Sequence, residues 1–209
     1  KKKEKLASIG ELAACMAHEI RNPLAALSGS MQVLNRELKL EDENRRLMEI
    51  ALKEAERLNM IITTFLKYAR PMPLNKKRCS LHDLLEDTLS LLRNSPDYRE
   101  DISLAPKFTK GKVWMMMDPD QIKQVLINVV LNALHASPQD TTVRLITSMG
   151  KCRDMPCGRV EIIDEGSGIP QDQLEHIFIP FFTTKEKGTG LGLAIAHQIV
   201  SEHGGVISV

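Results

Sequence analysis

No apolar run in this sequence approaches the ~20 residues that a membrane-spanning helix needs, and none has the build of a secretory leader. Charge is just as even. Lys+Arg number 28 against 27 Asp+Glu, a net charge of +1, and Lys1-Lys2-Lys3 is a short basic run at one end. A nucleic-acid surface needs a clustered basic excess, so no nucleic-acid partner is expected. Cysteine is scarce. Cys15, Cys79, Cys152 and Cys157 have neither the paired spacing nor the flanking histidines of a zinc site. They read as reduced thiols, which points to the cytoplasm. The chain starts without Met, as a fragment of a longer protein would. Any sensor or membrane-anchored part of that protein is expected upstream.

What is present divides in two. The 209 residues, 43% hydrophobic, suffice for one large domain or two small ones. In the first stretch Leu6, Ile9, Leu12, Ala13, Met16, Ile20, Leu24, Leu27, Met31, Leu34 and Leu38 step mostly by three and four. That spacing predicts one helix over residues 4–38 with an apolar seam. The charged stretch 39–46 interrupts the pattern. A second helix follows to about residue 70, with Leu47, Ile50, Ala51, Leu58, Ile61, Ile62, Phe65 and Ala69 on one side, and Pro71 and Pro73 end it. A lone hairpin of this kind buries only one side of each seam, and pairing into a dimeric four-helix bundle is the remedy. Residues 1–73 are therefore read as a dimerising helical hairpin, with a linker over 71–77.

From residue 78 the period changes. Ser80 and Asp83 resemble a capping box that opens a helix to about residue 92. Strands are expected at 101–104, 112–117, 141–149, 159–164 and 206–209. Helices are expected at 119–136, with Pro119 in the first turn, at 171–177 and at 190–203. Interleaved strands and helices make residues 74–209 an α/β two-layer structure, and its last strand is expected to be incomplete.

Four short runs carry chemistry. In His18-Glu19-Ile20-Arg21-Asn22-Pro23-Leu24 a neutral imidazole offers one nucleophilic nitrogen, and the adjacent carboxylate can take a proton or orient the ring. His18 lies between the seam residues Met16 and Ile20, so its side chain is expected to face away from the core. Pro23 has no N–H for the Glu19 carbonyl and crowds it, which predicts a kink one turn beyond His18. Asn128 and Asn132, four apart on one helical face, can hold a hydrated magnesium ion and touch phosphate oxygens. Asp164, Gly166 and Gly168 follow an apolar run, where a carboxylate can accept from an exocyclic amine and glycine lets backbone approach closely. Gly188-Thr189-Gly190-Leu191-Gly192-Leu193 opens a helix whose free N–H groups suit phosphate. It is neither a P-loop, since no GK[ST] follows, nor a dinucleotide fingerprint.

Together these runs resemble the sensor histidine kinases of two-component signalling, over essentially the whole chain. The resemblance implies a HisKA-type hairpin followed by a GHKL (Bergerat) ATP-binding domain. It makes His18 the phosphoacceptor, Glu19 its acid/base partner and Asn22 the residue that orients water for dephosphorylation of a response regulator. It makes Asn132 a magnesium ligand, with Asn128 beside it, and gives Asp164 the adenine amino group. The run Phe178-Ile179-Pro180-Phe181-Phe182-Thr183-Thr184-Lys185 is similar to the family's F-box and anchors a mobile lid. The nucleotide contacts implied are Asn128, Asn132, His135, Asp164, Gly166, Gly168, Thr184, Lys185, Lys187, Gly188, Thr189, Gly190, Leu191 and Gly192. At position 135 the family often has a phosphate-reaching lysine, and His135 departs from it. The short lid between Phe182 and Gly188 resembles nitrogen-regulation kinases. The implied activity is ATP- and Mg2+-dependent autophosphorylation of His18 in a homodimer, then transfer to a regulator aspartate. Two rivals remain: a chaperone or mismatch-repair ATPase of the same superfamily, which would carry a carboxylate where Asn128 stands, and a non-catalytic dimeric scaffold, which would have lost pocket residues.

Overall fold

The computed structural model describes all residues except 1, 39–40, 70–72, 97, 153–154 and 186–187, and only the backbone of residues 2–18 and 67. The chain divides into two compact units, Lys1–Pro73 and Leu74–Val209.

The first unit is a hairpin of α1 (Lys2–Glu37) and α2 (Asp42–Ala69). Helix α1 is assigned continuously through Pro23. Helix α2 starts inside the charged stretch that was expected to interrupt the pattern. Asp42 and Glu43 occupy its first turn, where carboxylates meet the positive end of the helix dipole. Charge here starts the helix instead of delaying it. The two helices meet where Arg21 Nη2 donates to Thr63 Oγ1 at 3.3 Å. Much of the apolar seam stays bare in one copy: Leu27 is 60% exposed and Leu47 59%, with Ile20, Leu34, Ile50 and Leu58 similar. Among the described residues no helix is long and apolar enough to cross a membrane.

The second unit layers three helices on strands. β1 (Lys77–Ser80) pairs antiparallel with β3 (Trp114–Met117), from Lys77 opposite Met117 to Ser80 opposite Trp114. β2 (Ser103–Lys107) runs parallel to β4 (Thr142–Cys152), and β4 antiparallel to β5 (Met155–Ile163), giving the order β2-β4-β5. Helix α3 (Leu81–Arg93) lays Leu81, Leu85, Leu89 and Leu92 into the core, and Ser80 caps it by accepting from the Asp83 N–H. Helix α4 (Pro119–Ala136) adds Leu126, Val130, Ala133 and Leu134. Val143 and Leu145 of β4 meet them from below. At the end of α4, Arg99 Nη1 donates to the carbonyls of Leu134 and Ser137, at 3.2 and 2.8 Å, while its other nitrogens engage Asp101. A cation there satisfies orphan carbonyls and suits the negative end of the dipole.

Helix α5 (Gly192–Glu202) ends in a Schellman motif. Gly204, at φ +81°, and Gly205 donate to the carbonyls of Ser201 and Val200.

Several expected elements differ. Residues 171–177 form consecutive turns, not a helix: Gln173 and His176 N–H donate three residues back, to Pro170 and Gln173. Pro170 and Pro180 bracket a segment too short to propagate a helix. Residues 206–209 join no ladder among the described residues. Helix α5 starts two residues after Gly190, because Gly190 is left-handed, at φ +66°, and its carbonyl accepts from Phe181 N–H. β1 lies partly in the expected linker; Lys-Arg-Cys-Ser has no apolar alternation to reveal it.

Asp118 caps α4 by accepting from the N–H groups of Asp120 and Gln121, and it accepts from Asn75 N–H at 2.8 Å. Burial alone would raise this carboxyl, but the donors from Asn75, Gln121 and Asp120 outweigh burial and hold it below the ordinary aspartate range. Because the native value is depressed, its contribution is full above the ordinary aspartate pKa and is lost as pH falls through the native one. Asp118→Ala should therefore cost about 1–2 kcal/mol at neutral pH, measured by urea unfolding. The gap from the parent should close in strong acid.

Candidate functional site

The site is built along one stripe of α4. Asn128, Asn132 and Ala136 stand four residues apart, so they share a face. Each touches a different loop. Asn128 Nδ2 donates to the Gly192 carbonyl at 3.0 Å. Lys185 Nζ donates to Asn132 Oδ1 at 3.4 Å. Gly166 sits so tightly on the end of α4 that an added methyl would lie 2.7 Å from the Ala136 carbonyl oxygen. Three of the chemical runs read from the sequence thus converge on a single helix face.

The Asp164 loop leaves β5 at Ile163. Gly166 N–H donates to Asp164 Oδ1 at 2.9 Å, which fixes the exposed carboxylate. Gly168 turns the chain onward at φ +73°, a conformation open to glycine at no steric cost.

The lid segment is pinned at both ends. Phe178 packs on His197 of α5, ring centroids 5.0 Å apart, and Phe182 meets His176 edge-on at 5.8 Å. Phe181 is left-handed, at φ +68°, and exposed. Its backbone lies against Gly190, where a methyl would fall 2.7 Å from the Phe181 Cα and oxygen. Thr183 Oγ1 accepts from Lys185 N–H at 3.1 Å and leaves room only for glycine at 188. The paired aromatics are thus packing anchors, and the backbone contact between Phe181 and Gly190 closes the segment.

Leu191 is fully buried and caps α5 without a side-chain hydrogen bond. The first N–H groups of α5 are therefore left for an anion. Thr189 Oγ1 accepts from Leu191 N–H at 3.4 Å. Desolvation lowers the Lys185 ammonium from the ordinary lysine value although the side chain as a whole is exposed. Thr184 is exposed, and exposed His135 stands in the last turn of α4. Lys187 lies outside the described residues.

On the hairpin, Glu19, Asn22 and Pro23 are exposed. The side chain of His18, whose outward orientation is the sequence expectation, lies outside the described residues. Among the described residues no group of three or more His, Cys, Asp or Glu could hold a metal.

The glycines of the loop differ in what they tolerate. Gly190→Ala meets backbone and is left-handed, whereas a methyl at Gly192 would sit 3.8 Å from Asn128 Cγ, an ordinary contact. Gly190→Ala should weaken nucleotide binding at least tenfold, about 1.4 kcal/mol. Gly192→Ala should change it by less than about threefold. Calorimetric titration decides; equal losses would contradict the backbone contact.

Comparison with known proteins covers both units. The His Kinase A (phospho-acceptor) domain matches residues 8–73. The histidine kinase-, DNA gyrase B-, and HSP90-like ATPase matches residues 117–209. Sensor histidine kinase ZraS of Salmonella typhimurium is 38% identical over 213 residues, across 100% of this chain and 44% of its own length. Sporulation kinase A of Bacillus subtilis is 36% identical over 100% of the chain and 33% of its own length. The chain therefore spans less than half the length of these curated relatives. Among solved structures, full-length ShkA in complex with AMPPNP superposes with TM-score 0.73 at 25% identity, covering 93% of this chain and 41% of that one. Histidine kinase ThkA in complex with response regulator protein TrrA superposes with TM-score 0.66 at 28% identity, covering 98% and 58%. A hairpin matched by the phospho-acceptor family, followed by an ATPase unit whose motifs meet on one stripe of α4, places this chain in the sensor histidine kinases of two-component systems.

Proposed function

We propose that the chain is the kinase core of a cytoplasmic-facing two-component sensor, which autophosphorylates on His18 and passes the phosphoryl group to a response-regulator aspartate. The observation that carries the reading is the α4 stripe. It brings an exposed carboxylate loop, an amide oxygen already engaged by a cation and an uncapped helix start onto one face. These suit, in order, an adenine amine, a metal ion and a chain of phosphates. ShkA was solved with AMPPNP and ThkA with a regulator, and the same ligand classes are proposed for this chain.

Asn132 Oδ1 would hold Mg2+, since a hard cation takes oxygen ligands. The bound ion would neutralise charge on the phosphates. Asn128 holds the start of α5 in place, and Gly188 and Gly190 keep the turn before it closed, with Thr184, Lys185 and Thr189 beside them. His135 stands where the family often has lysine, so charge toward the phosphates comes from Lys185.

At the hairpin, the ring nitrogen of His18 attacks the γ-phosphorus. An N–P bond forms, the bond from phosphorus to the β–γ bridging oxygen breaks, and ADP leaves with that electron pair. Glu19 takes the ring proton. An aspartate oxygen of the regulator then displaces the imidazole from phosphorus. Asn22, one turn beyond His18, orients a water for later hydrolysis of the acyl phosphate, since a carboxamide can hold water without ionising. The bare seam residues of α1 and α2 are covered by a second copy in a four-helix bundle.

The test is incubation with γ-labelled ATP. The parent should carry acid-labile, base-stable label. His18→Gln should carry none while its ATP affinity stays within about twofold, and label retained on that variant would remove His18 as acceptor. Asn22→Ala should slow dephosphorylation of a phosphorylated regulator more than self-labelling, and Glu19→Gln should do the reverse. Equal slowing of both reactions by both variants would point to helix stability instead of chemistry.

A further inference from the structure

His203 stands at the end of α5, in none of the motifs above, yet it makes two directed bonds. Its Nε2 accepts from Asp118 N–H at 3.0 Å, and its Nδ1 lies 2.8 Å from the Ile199 carbonyl. A carbonyl only accepts, so Nδ1 carries the proton, and a backbone N–H only donates, so Nε2 is bare. His203 is thus held as one neutral tautomer between the last turn of α5 and the residue that opens α4.

The start of α5 is joined to the middle of α4 by Asn128 and the Gly192 carbonyl. Helix α5 therefore runs antiparallel to the first half of α4 and is tied to it at both of its own ends. From Asp118 to Asn128 the chain rises about 15 Å and from Gly192 to His203 about 16 Å, at 1.5 Å per residue. The two struts match in span. Between them the buried face of α5 is Ala194, Ile195, Ala196 and Ile199. Two alanines give shallow ridges, so packing alone resists sliding weakly. The end bonds set the axial register. The Schellman turn at Gly204 and Gly205 stops α5 right after His203 and fixes where the ring stands.

We propose that His203 is a positioning residue for phosphate binding: it sets the axial register of α5 on α4, and so aims the free N–H groups at the start of α5 beside Asn132. This rests on the kinase reading for its ligand, but the strut itself does not. A shift of the helix along its axis would move the phosphate-facing amides away from the metal-holding carboxamide. The adenine side, carried by β5 and the end of α4, would stay in place.

Three variants separate position from stability. His203→Gln keeps an acceptor near the place of Nε2, His203→Phe keeps a ring without an acceptor, and His203→Ala keeps neither. The KM for ATP in self-phosphorylation should rise on the order of tenfold in the Phe and Ala variants, the scale of one lost hydrogen bond. It should stay within about twofold in the Gln variant. Inhibition by adenosine, which has no phosphate, should keep its constant in all three. Hydrogen exchange of the amides of residues 192–195, followed without nucleotide, should quicken in the Phe variant and not in the Gln variant. Unchanged exchange and KM in the Phe variant would overturn the proposal, as would equal effects of Phe and Gln or a parallel loss of adenosine and ATP. If the parent itself bound no ATP, the kinase reading would fall, and hydrogen exchange would still decide the strut.

Discussion

Asn128, Asn132 and Ala136 each hold a different loop of the site, and they can do so only because α4 is one continuous, capped helix. Its start is fixed by Pro119 and by an Asp118 carboxylate with three backbone donors. Its end is fixed by the Arg99 guanidinium on two carbonyls. Between these, Val130 and Leu134 are fully buried, so rotation of the helix would carry apolar side chains into water. The polar stripe is therefore placed by the core beneath it. Loops need only be short and tight, and the glycines at 166 and 190 supply that closeness.

The hairpin stands in a different position. Its seam is legible but unsatisfied, with large apolar residues half in water along both helices. Apolar area contributes roughly 25 cal/mol per Å2 once covered, so that stripe is where association gains its free energy. Glu19, Asn22 and Pro23, which carry the chemistry proposed for the hairpin, are exposed on the same helix.

Much of this could be read from residues alone, for identifiable reasons. Pro119 and the apolar period mark α4 from end to end, and Ser80 with Asp83 marks the start of α3. The asparagine and glycine runs carry chemistry at fixed spacing. Other features were hidden. Lys77–Ser80 has no alternation, and only its pairing with β3 makes it a strand. Residues 171–177 contain apolar residues at helical spacing, but prolines on both sides leave turns. The charged residues after position 41 looked like a break and instead form the first turns of α2. His203 could not be found by spacing, because its partner, the Asp118 amide, is 85 positions away. The convergence on α4 is likewise a fact of tertiary structure: the loop residues are far from it in sequence and reach it through backbone contacts.

The central claim is that nucleotide and metal bind along the α4 stripe. Side-chain amide resonances of Asn128 and Asn132, assigned by substitution, can be followed while ATP and Mg2+ are titrated together and then ATP alone. The account predicts saturable shifts of both, with the Asn132 response dependent on the metal and the Asn128 response smaller because its amide stays on Gly192. Saturable binding of ATP that leaves both resonances unmoved would contradict it.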